Sequence, residues 1–219
     1  MPITLDEPTT GGGTPVVKRQ ALGQTWKSYL IRYEQRDVLK EDKPVLKDNG
    51  KPRQELVVHV VTHPSSTMEV GLGDDVGPPT KGQVCRMILR GKAFSDWIDA
   101  KRSLGTFQVG DCVEQALDTA QAYDSHGKPK GGAITDQEEV VAHRMKGTSV
   151  GVYGPLTVRR ATADEAEYVA LAEAAYMQQT AKKLDDPNHG AQAWDEEPFV
   201  RDAGEWMPGA WGAYPESVH

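Results

Sequence analysis

Cysteine is scarce in this chain: Cys85 and Cys112 are the two among 219 residues. One bridge is the most they could make, no CxxC pair is there to build a structural zinc site, and both are expected as buried thiols. Long apolar runs are missing too. None approaches the roughly 20 residues that a helix needs to cross a bilayer, and the start lacks the basic-then-apolar pattern of an export signal. A cytoplasmic protein with no membrane partner is the expectation. Signatures of chemistry are equally thin. The run GPPTKG (77–82) lacks the glycine spacing of a phosphate-gripping loop. His59 and His63 would stand about 13 Å apart on a strand, too far for a shared metal. Asp74-Asp75 and Glu138-Glu139 have no apolar surroundings to raise a pKa. No Ser/His/Asp or Cys/His signature stands out, so no cofactor, metal or enzymatic step is expected.

What the chain does have is an uneven charge. The formal net charge is −7, yet residues 16–160 hold 22 Lys and Arg against 18 Asp and Glu, whereas residues 161–219 hold 3 against 12. A cationic body with an acidic end suits a protein that binds a polyanion and regulates access to it. It suits equally a near-neutral domain followed by a solvated tail.

The strongest local signal is KDNGKPRQELVVHVVT (47–62). Asp48-Asn49-Gly50 supplies residues that tolerate positive φ in a tight turn, and Leu56 to Val61 are mostly β-branched, as a buried strand prefers. Its partner is 24–38, in which Trp26, Ser28, Leu30, Arg32 and Glu34 alternate with Thr25, Lys27, Tyr29, Ile31 and Tyr33. Residues 83–90 form the next strand, with Val84, Arg86, Ile88 and Arg90 on one side. Ala93, Phe94, Trp97, Ile98 and Lys101 then fall at helical spacing and stop at Leu104-Gly105. Residues 110–123 read as a strand, and 140–160 as one or two more. The stretches 63–82 and 124–136, rich in glycine and proline, read as long loops. From Ala161 the alanine-rich run with Thr162 and Glu165 placed for a capping box reads as a helix, with Tyr168, Leu171, Ala172, Ala175 and Tyr176 along one side.

The order strand, strand, strand, short helix, strand, strand is that of a mainly β protein. It matches a five-stranded Greek-key barrel of the oligonucleotide-binding (OB) type, with its helix between the third and fourth strands. The expected organisation is a flexible lead (1–22), this domain (23–160), a C-terminal α-helix (161–184) and an acidic disordered tail (185–219). Such a barrel holds single strands by stacking bases on rings, worth about 1 to 3 kcal/mol each, and by tracking phosphates with cations. Trp26, Tyr29 and Tyr33 are the candidate rings, although Trp26 and Trp97 are as well suited to a core. Arg32, Arg36, Lys47, Lys51, Arg53, Arg86, Arg90, Lys92, Lys128 and Lys130 are the candidate cations.

The sequences DNGKPRQELVVHVVT and QVCRMILRGKAFSDWIDAKRSLG, followed by a Gly-Asp strand start at Gly110-Asp111, resemble the small OB-fold single-stranded DNA-binding proteins of bacteriophages that infect high-GC, actinobacterial-type hosts. That resemblance covers about the middle half of the chain. It implies sequence-independent protection of single-stranded DNA in replication, recombination or repair, in the host cytoplasm and as a homo-oligomer. Trp194-Asp195-Glu196-Glu197-Pro198-Phe199 is similar to the acidic Pro-Phe tip with which bacterial single-stranded DNA-binding proteins recruit partner enzymes, though here it is internal. A chance Pro-Phe in an acidic segment is the simpler explanation. The alternative function is a non-enzymatic adaptor that uses barrel and helix for protein assembly.

Overall fold

The longest strand organises the molecule. In the computed structural model, which describes residues 13–184 apart from 41, 42, 48, 74, 126 and 127, the elements run as follows. β1 (Val16–Lys18), β2 (Thr25–Asp37), β3 (Leu39–Lys40), β4 (Lys43–Pro44), β5 (Gln54–Thr62), β6 (Glu69–Leu72), β7 (Asp75–Gly77) and β8 (Val84–Leu89) precede α1 (Gly91–Leu104). β9 (Cys112–Ala116), β10 (Thr119–Tyr123), β11 (Pro129–Ile134), α2 (Gln137–Met145), β12 (Ser149–Tyr153), β13 (Leu156–Arg159) and α3 (Ala166–Leu184) complete the chain, with a 3-10 turn at Ala163–Glu165 before α3. The protein is mainly β. No helix among the described residues is long and apolar enough to cross a membrane.

β2 pairs antiparallel with β5 along most of its length and with β9 near its start. It is the centre of an eight-stranded sheet ordered β13-β9-β2-β5-β8-β1-β6-β7. Among the described residues no ladder joins the two outermost strands, so the sheet does not close into a barrel. β1 instead extends it beyond β8, where Val16 lies opposite Arg86 and Val17 opposite Val70. Arg19, just after β1, then spans the gap between β8 and β9: Nη1 donates to the Ile88 carbonyl at 2.9 Å and Nε to Gln115 Oε1 at 2.8 Å. Burial lowers its pKa to about 10, because a guanidinium loses its hydration there.

The regular alternation expected along β2 breaks at Ile31. The register against β5 shifts between Leu30 and Arg32, a bulge that inserts one unpaired residue and changes which side later residues face. Leu30 lies opposite Val60 and Tyr33 opposite Val58, whereas Tyr29 lies opposite Val61 and Arg32 opposite His59. Tyr33 therefore joins the side of Trp26 and Leu30, while Arg32 and Glu34 join the side of Tyr29. Counting by twos from Trp26 gave the reverse.

Each side has its own core. Trp26, Leu30, Val58, Val60 and Met87 meet Phe94 and Trp97 of α1 and Phe107 on one side. On the other, Tyr29, Ile31, Val61 and Cys112 are covered by Tyr168, Leu171, Ala172 and Ala175 of α3. The C-terminal helix thus packs back on its own chain. Burying side chains of this size contributes about 1.5 to 3 kcal/mol each. Gly110 permits the approach: its φ is +88°, and a Cβ there would stand 2.7 Å from a methyl of Val169. Both cysteines are buried free thiols, Cys112 with its pKa pushed up to about 12, chiefly by burial.

Several expected loops carry structure. Val16–Lys18, assigned to a flexible lead, forms β1, and the stretch 63–82 holds the β6–β7 hairpin. Residues 129–134, read as loop, form β11 in a separate three-stranded sheet ordered β11-β10-β12. The strand expected over 110–123 is split between the two sheets. Residues 137–145, read partly as strand, form α2, capped where Asp136 Oδ1 accepts from the Glu138 amide at 3.0 Å. The expected tail, 185–219, lies outside the described residues.

Candidate nucleic-acid interface

Strand register sets two rows of cations across β2, β5 and β8. Arg32, His59 and Arg86 lie opposite one another in one row. In the other, Arg36 lies opposite Glu55, and Arg90 follows β8 on the same side of the sheet as Arg86. Four residues of extended strand separate the rows, about 13 Å. Four of the sequence-predicted arginines therefore share one face.

The two ends of that face differ. At the Arg32–Arg86 end the cations are engaged by neighbouring backbone and helix. Arg32 Nε donates to Gln179 Oε1 of α3 at 2.8 Å, and Arg86 Nε to the Thr14 carbonyl at 3.2 Å. α3 itself is fastened by a buried carboxylate. Glu165 accepts from Arg159 through two bonds of 2.8 Å, pairs with Lys27 at 2.6 Å and accepts from the Thr162 amide at 2.9 Å. The Arg159 guanidinium, aided by Lys27, holds the Glu165 carboxyl well below the ordinary range. This end of the face is closed by helix.

The Arg36–Arg90 end is open. Both arginines converge on Glu55, whose side chain is 4% exposed while theirs are 46% and 61% exposed. Beside them the described residues between Val38 and Arg53 form a ribbon, held by the β3–β4 pair, by a Leu46–Pro52 bridge and by a turn at Gly50 with φ +75°. It brings Lys47 and Arg53 next to the start of α1, while Lys51 stays at the turn. Among the described residues no carboxylate pairs with Arg53 or Lys51, both of which are exposed. Lys92 pairs with Asp96 at 2.9 Å, one turn along α1.

The rings do not follow the cations. Trp26 is 1% exposed, with Nε1 donating to Ser28 Oγ at 2.8 Å. Tyr29 is fully buried and stacks on Tyr168, the centroids 4.9 Å apart and the planes 10° from parallel. Neither offers a ring face to a base, which corrects the expectation for both. Tyr33 is half-buried on the opposite side of the sheet, edge-on to Trp97 and Phe107, with Lys101 Nζ 5.8 Å from its centroid. Lys128 and Lys130 are exposed, but Lys130 lies on β11 in the smaller sheet, with Lys128 just before it. The segment Trp194–Phe199 lies outside the described residues.

Reading the sequence alone passed over the apolar side chains that back the open end, Val38, Val45 and Phe94, which with Lys47, Arg53 and Arg90 line a cavity of about 340 Å³. Phe94 was legible only as a core position of α1, and no local pattern marks Val38 and Val45, because the ribbon that aligns them is irregular. Lys101 over Tyr33 was also missed, because Lys101 was legible only as one of the positions at helical spacing in α1. Compared with protein-family models, curated proteins and solved structures, the chain matches none.

Proposed function

We propose that this protein binds single-stranded nucleic acid, DNA in the first instance, without sequence preference, protecting it during replication, recombination or repair. The observation that carries the reading is the exposed pair Arg36 and Arg90 on one side of the sheet, continued at that open end by Lys47 and Arg53; Arg32 and Arg86 lie on the same side but are engaged by Gln179 and the Thr14 carbonyl. Cations spaced along a surface neutralise successive phosphates and release their counterions, which needs no base contact. The neighbouring strands β13-β9-β2-β5-β8, with α1 joining β8 to β9, are compatible with an OB-type barrel left open, which supports the reading. In such barrels the second and third strands and the loops after the first and fourth hold the ligand. Here those are β5, β8, the ribbon 38–53 and the arm carrying Lys128 and Lys130.

With Trp26 and Tyr29 inside, phosphate contact outweighs stacking in this mode of binding. The acidic residues 185–219 act as a competing anion or as a contact for replication and recombination enzymes, and copies of the chain assemble along one strand. No cofactor takes part. Fluorescence anisotropy of labelled oligothymidine, duplex DNA and oligouridine at low salt tests the proposal. Preferential binding of oligothymidine over duplex supports it, and no binding at low salt counts against it. The adaptor reading draws on Val141 and Met145 of α2, 44% and 84% exposed. It is favoured if oligothymidine fails to bind.

A further inference from the structure

The cavity between the ribbon and α1 divides by chemistry. Half-buried Val38 and Val45 from the ribbon and the buried ring of Phe94 from α1 supply its apolar lining; Lys47 and Arg53 from the same ribbon and Arg90 from just before α1 supply its cations. The volume, about 340 Å³, falls at the lower end of small-ligand pockets, which run from about 300 Å³ upward. Arg90 is steered by Glu55, which bonds its Nε at 2.7 Å, so its position does not depend on the ligand. The Arg53 guanidinium is exposed with no carboxylate partner among the described residues. The first turn of α1 opens on the same space and carries no acidic side chain; the carboxylate that Arg90 does meet, Glu55, is 4% exposed and shared with Arg36.

A purely anionic ligand would leave the apolar surface wet, and a purely apolar one would cover the Arg53 guanidinium without giving it a partner. A ligand with a flat heterocycle joined to a phosphate satisfies both halves. We infer that the cavity is a site for one nucleotide unit, its base against Val38, Val45 and Phe94 and its phosphate on Arg53, Lys47 and Arg90. The inference rests on the strand-binding reading only for the source of the nucleotide: a unit of a bound strand, or a free nucleoside monophosphate.

The test is amide-resonance NMR titration of the full chain with thymidine monophosphate, thymidine and inorganic phosphate, with oligothymidine titrated in parallel by anisotropy. Thymidine monophosphate is expected to shift resonances of residues 45–54 and 90–94, and to bind about tenfold more tightly than either fragment, the scale of one charge-assisted phosphate contact. R53A should weaken it about tenfold, and V45F, which fills the cavity from a half-buried position, should abolish it while the thermal midpoint stays near wild type. The assignment is overturned if thymidine monophosphate gives no shifts at millimolar concentration, or if neither variant changes its binding. Oligothymidine binding that is indifferent to V45F removes the cavity and leaves the strand reading standing. Monophosphate binding without tighter binding of oligothymidine does the reverse.

Discussion

Arg36 on β2 and Arg90 beyond β8 hold the same carboxylate: Glu55, on the strand between them, accepts from Arg36 Nε at 2.8 Å and from Arg90 Nε at 2.7 Å. One buried acid thus places two exposed cations on a common face, at the cost of half their charge. E55Q separates the two roles. Because both arginines can return to water, the loss of stability should be about 1 to 2 kcal/mol, below that of breaking a fully buried pair. Removing the negative charge should meanwhile tighten oligothymidine binding. A thermal melt and an anisotropy titration on the same variant check this, and lower stability with weaker binding would contradict it.

Trp26 is the second discriminating position. Its ring is in the core with Nε1 on Ser28, so W26F leaves a small cavity and removes the donor to the Ser28 hydroxyl, which keeps its contact with the Val113 carbonyl. The expected loss is about 1 to 3 kcal/mol with oligothymidine affinity unchanged. A fall in affinity without a fall in melting temperature would return the ring to the binding surface. For the same reason, quenching of Trp26 and Trp97 on binding should be slight.

How much of this was readable beforehand depends on how local each cause is. The β-branched run Leu56–Val61, the helical spacing of Ala93, Phe94 and Trp97, and the Thr162–Glu165 start of the last helix are short-range signals, and each names its element. β1 and β6 hold three or four residues and are stabilised by partners such as Val17 and Val70, far apart in the chain. Nothing next to them announces a strand. α2 did carry a signal, since Asp136 followed by Glu138 and Glu139 is a cap with acids in the first turn; it was read only as a solvated acidic pair. The bulge at Ile31 is the most consequential loss. It decides that Arg32 sits with Tyr29 and that Tyr33 turns inward, and alternation counted along one strand cannot reveal an extra residue that its partner lacks.

Acid should loosen α3 through Glu165. Its carboxyl is held below the ordinary range by Arg159 and Lys27, so the folded protein binds the proton less readily than the unfolded chain. The stabilisation is complete above the unfolded value, about 4.3, and is lost as pH falls from there toward the folded value. Urea melts of wild type between about pH 6 and pH 2.5 should show this decline. In E165Q stability should start lower and fall less steeply; parallel curves would mean that Glu165 does not carry the effect.

Cys112 reports the same helix. It is buried beneath α3, whereas Cys85 belongs to the core on the other side of the sheet. Y168A removes the ring stacked on Tyr29 and should cost about 2 to 4 kcal/mol. Thiol labelling under native conditions should then accelerate at Cys112 and remain slow at Cys85, as mass spectrometry of the labelled protein would show. Equal acceleration at both would mean global unfolding rather than release of the helix.

The most direct measurement is the salt dependence of oligothymidine binding, in wild type and in R36A, R53A and R90A. Wild type should show a steep linear fall of log affinity with log salt, and each variant should flatten that slope by about 0.7, the contribution of one phosphate on a single strand. A wild-type slope near zero, or a slope that the three substitutions leave unchanged, would contradict the assignment of this face to a nucleic-acid backbone.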